Sequence, residues 1–128
     1  MSATVLIDSW AWLEYFFGSG AGEKAGKIIE DESQRKIVSK INLFEVYYKS
    51  LKGEGAAMAQ KRLSFVLQTC EPKEITVEIA KLAAEIKLEE RLGMADALIL
   101  ATAAENDAIV LTGDKHFART RRAKVQML

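Results

Sequence analysis

The chain has 128 residues, with 18 Lys and Arg against 18 Asp and Glu and a formal net charge of zero. That balance excludes a uniformly basic, histone-like or polybasic membrane-binding protein, although basic patches survive inside a neutral sum. Hydrophobic residues are 49% and charged residues 28%, a globular composition that excludes a disordered chain. The length suits one domain over residues 1–128, with a core that needs no covalent staples. The single Cys, Cys70, forms neither an internal disulfide nor a Cys-based zinc cage, which points to a reducing compartment. No basic-then-apolar leader opens the chain and no apolar run approaches ~20 residues, so a cytoplasmic protein free of membrane is expected.

Thr4 to Ile7 (TVLI) is a continuous β-branched run and reads as a strand buried on both faces. Asp8-Ser9 follows, and Trp10, Leu13 and Phe17 then recur at helical spacing. Gly18 to Gly22 is expected to end that helix and form a flexible connection, with a short helix from Glu23 to about Glu32. Lys36 to Ser39 is a second strand candidate. Ile41, Phe44, Tyr48 and Leu51 mark one face of the next helix, read as its inward face, with a stop near Gly53. Ala59, Leu63, Val66 and Cys70 line up on a helix over 55–69 that Pro72 breaks. Glu74 to Val77 (EITV) is the third strand candidate. Ile79, Leu82, Ala83 and Ile86 fit a helix ended by Gly93. Asp96 precedes an Ala-rich helix that is apolar all round and therefore central. Ala108 to Leu111 (AIVL) is a fourth strand and Lys124 to Met127 (KVQM) a fifth. Strands that alternate with helices throughout predict an α/β fold with a parallel sheet covered on both faces.

In such sheets, ligands bind at the carboxyl ends of the strands. TVLI runs into Asp8, and AIVL runs through Thr112-Gly113 into Asp114. On neighbouring strands those carboxylates lie ~5 Å apart and repel by about 3 kcal/mol at an effective dielectric of ~20, which calls for a cation or a shared proton. Asp96 opens the buried helix and Glu45 sits within the third helix. If the four converge, they form a hard oxygen site suited to Mg²⁺ or Mn²⁺. Each also has a structural reading: Asp8 and Asp96 as helix caps, Glu45 as the partner of Lys49, Asp114 as a turn residue. Gly20-Ala21-Gly22-Glu23-Lys24-Ala25 spells a dinucleotide fingerprint but follows a helix, where the motif needs a strand. His116 is the only His, so chemistry that needs an acid and a base histidine is excluded, and it reads as a rim residue.

The chain resembles the PIN-domain nucleases, specifically the small toxins of VapBC-type toxin–antitoxin pairs. Val5-Leu6-Ile7-Asp8-Ser9, Val38-Ser39 with Asn42-Leu43-Phe44-Glu45, Ala95-Asp96-Ala97 through Ala103, and Leu111-Thr112-Gly113-Asp114-Lys115-His116-Phe117 carry the resemblance. It implies a three-layer α/β/α fold with a five-stranded parallel sheet of order 3-2-1-4-5. It also implies a metal-dependent endoribonuclease, a homodimer, and a cognate antitoxin partner. The acidic positions of the family fall on Asp8, Glu45, Asp96 and Asp114, which would hold Mg²⁺ or Mn²⁺. Ser9 and Thr112 fall on positions that orient carboxylates or waters. Asn42 stands where members often carry Thr or Ser.

Basic residues should flank an acidic pocket that takes RNA. Residues 114–128 carry Lys115, Arg119, Arg121, Arg122 and Lys124 against Asp114, a net +4. Lys115, His116, Arg119, Arg121 and Arg122 are the RNA-binding candidates. Lys49, Lys52, Lys61 and Arg62 against Glu54 give residues 46–70 a net +3 and are further candidates. Three functions remain open: a toxin ribonuclease, a PIN nuclease of RNA processing without an antitoxin, and a catalytically idle PIN-fold binding module.

Overall fold

The computed structural model describes residues 3–128. Its elements in chain order are β1 (Thr4–Ile7), α1 (Ser9–Phe17), α2 (Gly20–Ile29), β2 (Lys36–Ser39), α3 (Lys40–Glu54) and α4 (Ala56–Thr69). Then come β3 (Glu71–Lys73), α5 (Val77–Glu90), α6 (Met94–Glu105), β4 (Ala108–Thr112) and β5 (Val125–Met127). The five strands pair in the order β3-β2-β1-β4-β5, all parallel, as the resemblance implied.

Strand side chains alternate between faces, and here both faces are buried. Leu6, Ile37 and Val110 point to one side, where Ile79 and Ile86 of α5 and Ile99 and Leu100 of α6 cover them. Val5, Ile7, Val38 and Leu111 point to the other, against Trp12 of α1, Ile29 of α2, Val46 of α3 and Val66 of α4. This two-sided burial explains why β1 is continuously apolar from Val5 to Ile7 and β4 from Ala108 to Leu111. Among the described residues no helix is long and apolar enough to cross a membrane.

Four expectations need correction. The third strand is Glu71–Lys73, not EITV. Pro72 is tolerated because β3 is an edge strand that pairs only with β2, so its missing N–H breaks no central ladder. Thr76 caps α5 by accepting from Ile79 N at 3.1 Å, which draws Val77 into the helix.

The glycine-rich stretch is not a flexible connection. Ser19 accepts from Gly22 N at 3.0 Å, and α2 begins at Gly20. A methyl group at Gly22 would collide with the Glu14 carbonyl, so the glycine is there to bring α1 and α2 close together.

The third correction concerns α3, whose Phe44, Tyr48 and Leu51 are exposed while Asn42, Val46 and Ser50 face inward. The buried face of this helix is partly polar because its side chains carry specific hydrogen bonds. Ser50, for example, accepts from Arg62 Nη1 at 3.2 Å.

Finally, α5 ends at Glu90 with Arg91 in the left-handed region, and Gly93 is the N-cap of α6. Asp96 therefore lies in the first turn of α6, not at its cap.

Candidate metal centre

The register of the central strands builds the site. Ile7 pairs with Leu111, and Asp8 N donates to Leu111 O at 3.0 Å, so β1 and β4 end side by side. The neighbour of Asp8 across that pair is Thr112, whose Oγ1 donates to Asp8 Oδ2 at 2.8 Å. Thr112 Oγ1 also accepts from Asp114 N at 3.0 Å, which ties the following turn to the same point.

From α3, Asn42 Nδ2 donates to Asp8 Oδ1 at 3.2 Å and to Ser9 Oγ at 3.1 Å. The Asn42 amide is itself oriented at the helix start, where its Oδ1 accepts from Ser39 N at 3.0 Å. Ser9 Oγ in turn donates to Glu45 Oε1. Asn42 is fully buried and joins three elements, a role its sequence position did not disclose. The one signal available was the Ser39-x-x-Asn42 spacing of a capping box.

Asp8 does not cap α1 with its side chain; both its oxygens are taken by Thr112 and Asn42. Its pKa is raised to about 6, by burial above all; the Thr112 hydrogen bond works against that rise and the Glu45 charge adds to it. Glu45 is half-buried and accepts from Ser9, which replaces the surface pairing with Lys49.

Asp96 has its pKa raised by partial burial first and then by the charge of Asp114, with His116 opposing and Glu45 adding to the rise. Asp114 does serve its turn, since Oδ1 accepts from His116 N at 2.9 Å. Its carboxylate nevertheless reaches the site: His116 Nδ1 lies 3.1 Å from Asp114 Oδ1 and 3.6 Å from Asp96 Oδ2.

The centre thus has two parts, Asp8 with Glu45 and Asp96 with Asp114 and His116. Glu45 raises the pKa of both Asp8 and Asp96, so its charge is felt on both sides. Among the described residues no Lys or Arg forms an ion pair with any of the four carboxylates. Donor atoms of Asp96, Asp114 and His116 lie within 4.8 Å of one another. Two carboxylates and an imidazole this close fit a divalent cation.

The basic candidates divide by position. Lys115 and His116 lie in a 3-10 turn, Lys115–Phe117, directly after Asp114. His116, Arg119 and Arg121 line a shallow 300 Å³ groove with Glu90 and Leu92. The Arg121 amide is held by Glu90 Oε2 at 3.2 Å. Arg122 is not brought to the acids. Its guanidinium lies 3.7 Å from Glu89, and it lines a 400 Å³ cavity with Ala3, Ala108 and Lys124, where β1 and β4 begin; Arg121 borders both this cavity and the groove. The chain must return to that edge to start a parallel β5, which carries Arg122 and Lys124 with it. Arg62 is likewise structural: it is buried, bonded to Ser50 and 2.7 Å from Glu54. Lys49, Lys52 and Lys61 remain exposed. Cys70 is buried, and burial pushes its thiol up to about 12, which leaves it unreactive.

Fold and edge together define an α/β protein with an acidic centre at the carboxyl ends of its central strands. A model of the PIN domain matches residues 5–123, and the chain belongs to the PIN domain family. No curated protein sequence matches it.

Solved structures share the fold. VapBC2 from Rickettsia felis, bound to a promoter DNA fragment, superposes with a TM-score of 0.80 at 16% identity, over 98% of each chain. A toxin–antitoxin complex from Klebsiella pneumoniae gives 0.77 at 24% identity over 95% of each chain. VapC20 from Mycobacterium tuberculosis, described as a sarcin–ricin loop cleaving toxin, gives 0.76 at 14% identity, covering 89% of this chain and 92% of its own.

Proposed function

We propose that the chain is a single PIN domain, residues 1–128, acting as a divalent-metal-dependent endoribonuclease and as the toxin of a toxin–antitoxin pair. The observation that carries the nuclease reading is the buried Asp8 carboxylate, held by two donors beside Glu45, with Asp96 and Asp114 completing an acidic edge that, among the described residues, no Lys or Arg pairs with. Likeness to VapBC complexes and to a toxin described as cleaving the sarcin–ricin loop supports an RNA substrate and an antitoxin partner.

Asp8, Glu45, Asp96 and Asp114 would hold Mg²⁺ or Mn²⁺, which when bound polarises a scissile phosphate and acidifies water. The chain's own residues do the rest. Thr112 and Asn42 fix the two oxygens of Asp8, and Ser9 fixes Glu45, so the carboxylates are oriented before anything binds. Lys115, Arg119 and Arg121 offer positive charge to the phosphates on either side of the cut. Cleavage of this type leaves a 5′-phosphate and a 3′-hydroxyl and needs no 2′-hydroxyl chemistry. A cytoplasmic homodimer is the expected form.

The test is RNA cleavage by the purified protein with Mn²⁺ or Mg²⁺, beside Asp8→Asn and Asp96→Asn. The reading expects activity in the wild type only, abolished by EDTA. Cleavage that persists in EDTA and in both variants overturns the metal mechanism. The toxin role is tested separately, by co-purification with the product of the neighbouring gene.

A further inference from the structure

We propose that His116 is a ligand of the ion held by Asp96 and Asp114, so that this centre favours Mn²⁺ over Mg²⁺. The inference rests on the metal-dependent reading above and adds a nitrogen donor to a set otherwise made of oxygens.

Local sequence dictates the placement. Asp114 accepts from His116 N and closes the 3-10 turn, while Phe117, fully buried in the core, pins that turn to the sheet. Held from both sides, the turn aims the imidazole back across the acids. Nδ1 lies 3.1 Å from Asp114 Oδ1 and 3.6 Å from Asp96 Oδ2. An octahedral ion with bonds of ~2.1 Å sets adjacent donors ~3.0 Å apart. The separation to Asp114 matches that edge, and the separation to Asp96 needs only a small closure. Asp96 comes from α6 and the other two from the turn after β4, so the donors converge from two elements.

Donor chemistry then sets the preference. Mg²⁺ takes oxygen ligands and keeps much of its water, whereas transition ions accept imidazole readily. A protonated imidazole paired with two carboxylates would occupy the same positions in the ion-free protein. Loading the ion separates the two states, because only a coordinated imidazole shares electron spin with its nitrogen.

The experiment is pulsed electron paramagnetic resonance of the full chain loaded with MnCl₂ alone, with titrations of MnCl₂ and MgCl₂ followed by calorimetry. Nitrogen coupling of a directly bound histidine is expected in the wild type. It should be lost in His116→Gln, and the Mn²⁺-over-Mg²⁺ affinity ratio should fall by at least about tenfold. The side chain is 74% exposed, so the variant should fold, which circular dichroism checks. Mn²⁺ bound without nitrogen coupling overturns the inference and leaves the metal reading intact. Failure to bind Mn²⁺ at all overturns both. An unchanged ratio in His116→Gln, with only a weaker KM for RNA, assigns His116 to the substrate and overturns the ligand role.

Discussion

The two parts of the acidic centre lie side by side and are held in opposite ways. On the Asp8 side the carboxylate is 3% exposed, both oxygens accept hydrogen bonds, and Asn42 and Thr112 that supply them are themselves fully buried. On the Asp114 side the side chains of Asp96, Asp114 and His116 are 21%, 29% and 74% exposed, and their contacts are mainly to one another. The first part is preorganised at an electrostatic cost; the second is open to water and substrate and free to adjust. The proposed function, which brings an ion and a polymer to one place, needs both properties.

Removing the charge on the rigid side has the largest effect. Asp8→Asn should lower metal-dependent RNA cleavage by on the order of 10³-fold, since a metal contributes several kcal/mol to the transition state. The same substitution should leave the ion-free protein at least as stable at pH 7, because it removes a buried charge. A variant that unfolds, or that cleaves normally, breaks the distinction between the two parts.

Asn42→Ala tests whether the rigidity matters. Loss of the amide leaves the Asp8 carboxylate short of a donor and strips Ser39 N of its acceptor. Cleavage should fall by about 10–100-fold, as for other groups that hold metal ligands. The ion-free protein should lose about 1–3 kcal/mol in chemical denaturation. Full activity in this variant would mean that Asp8 orients itself.

The pH dependence follows from Asp8. Its folded pKa of about 6 lies above the ordinary value of 3.8. The neutral carboxyl therefore favours the folded state fully below pH 3.8, and that contribution is lost as pH rises through about 6. Between those limits the ion-free protein should lose about 3 kcal/mol of stability from this group. Mn²⁺ should restore stability at pH 7, and Asp8→Asn should flatten the profile. A wild-type profile that rises over this window contradicts the burial argument.

The smallest effects compare two of the three arginines after the turn, Arg119 and Arg122. Arg119→Ala should raise KM for RNA a few-fold and reduce the salt slope of binding by about one unit. Arg122→Ala, at the opposite edge of the sheet and paired with Glu89, should change neither.

Sequence placed the four acids better than the surfaces around them, for physical reasons. Strands buried on both faces have to be continuously apolar, so TVLI and AIVL announce themselves and carry Asp8 and Asp114 to their ends. Edge strand β3 has only one neighbour and tolerates Pro72, so EPK looked less like a strand than EITV did. The face of α3 misled because its inward side uses Asn42 and Ser50 for hydrogen bonds while Phe44 and Tyr48 stack on each other outside. A periodicity argument assumes that burial and apolarity coincide, and around the buried Asp8 carboxylate they part. Asn42 escaped for the same reason. It is a polar residue on a helix, and its value appears only when β1 is brought against it. Arg122 was counted with its neighbours along the chain, but a parallel β5 obliges the connection to carry it away from the acids.

The most direct test of the account is the end chemistry of RNA cut by the purified chain in MnCl₂. It predicts a 5′-phosphate and a 3′-hydroxyl at every cut, with cleavage stopped by EDTA. A 2′,3′-cyclic phosphate, or cutting that continues in EDTA, would contradict the assignment of Asp8, Glu45, Asp96 and Asp114 to a metal-dependent centre.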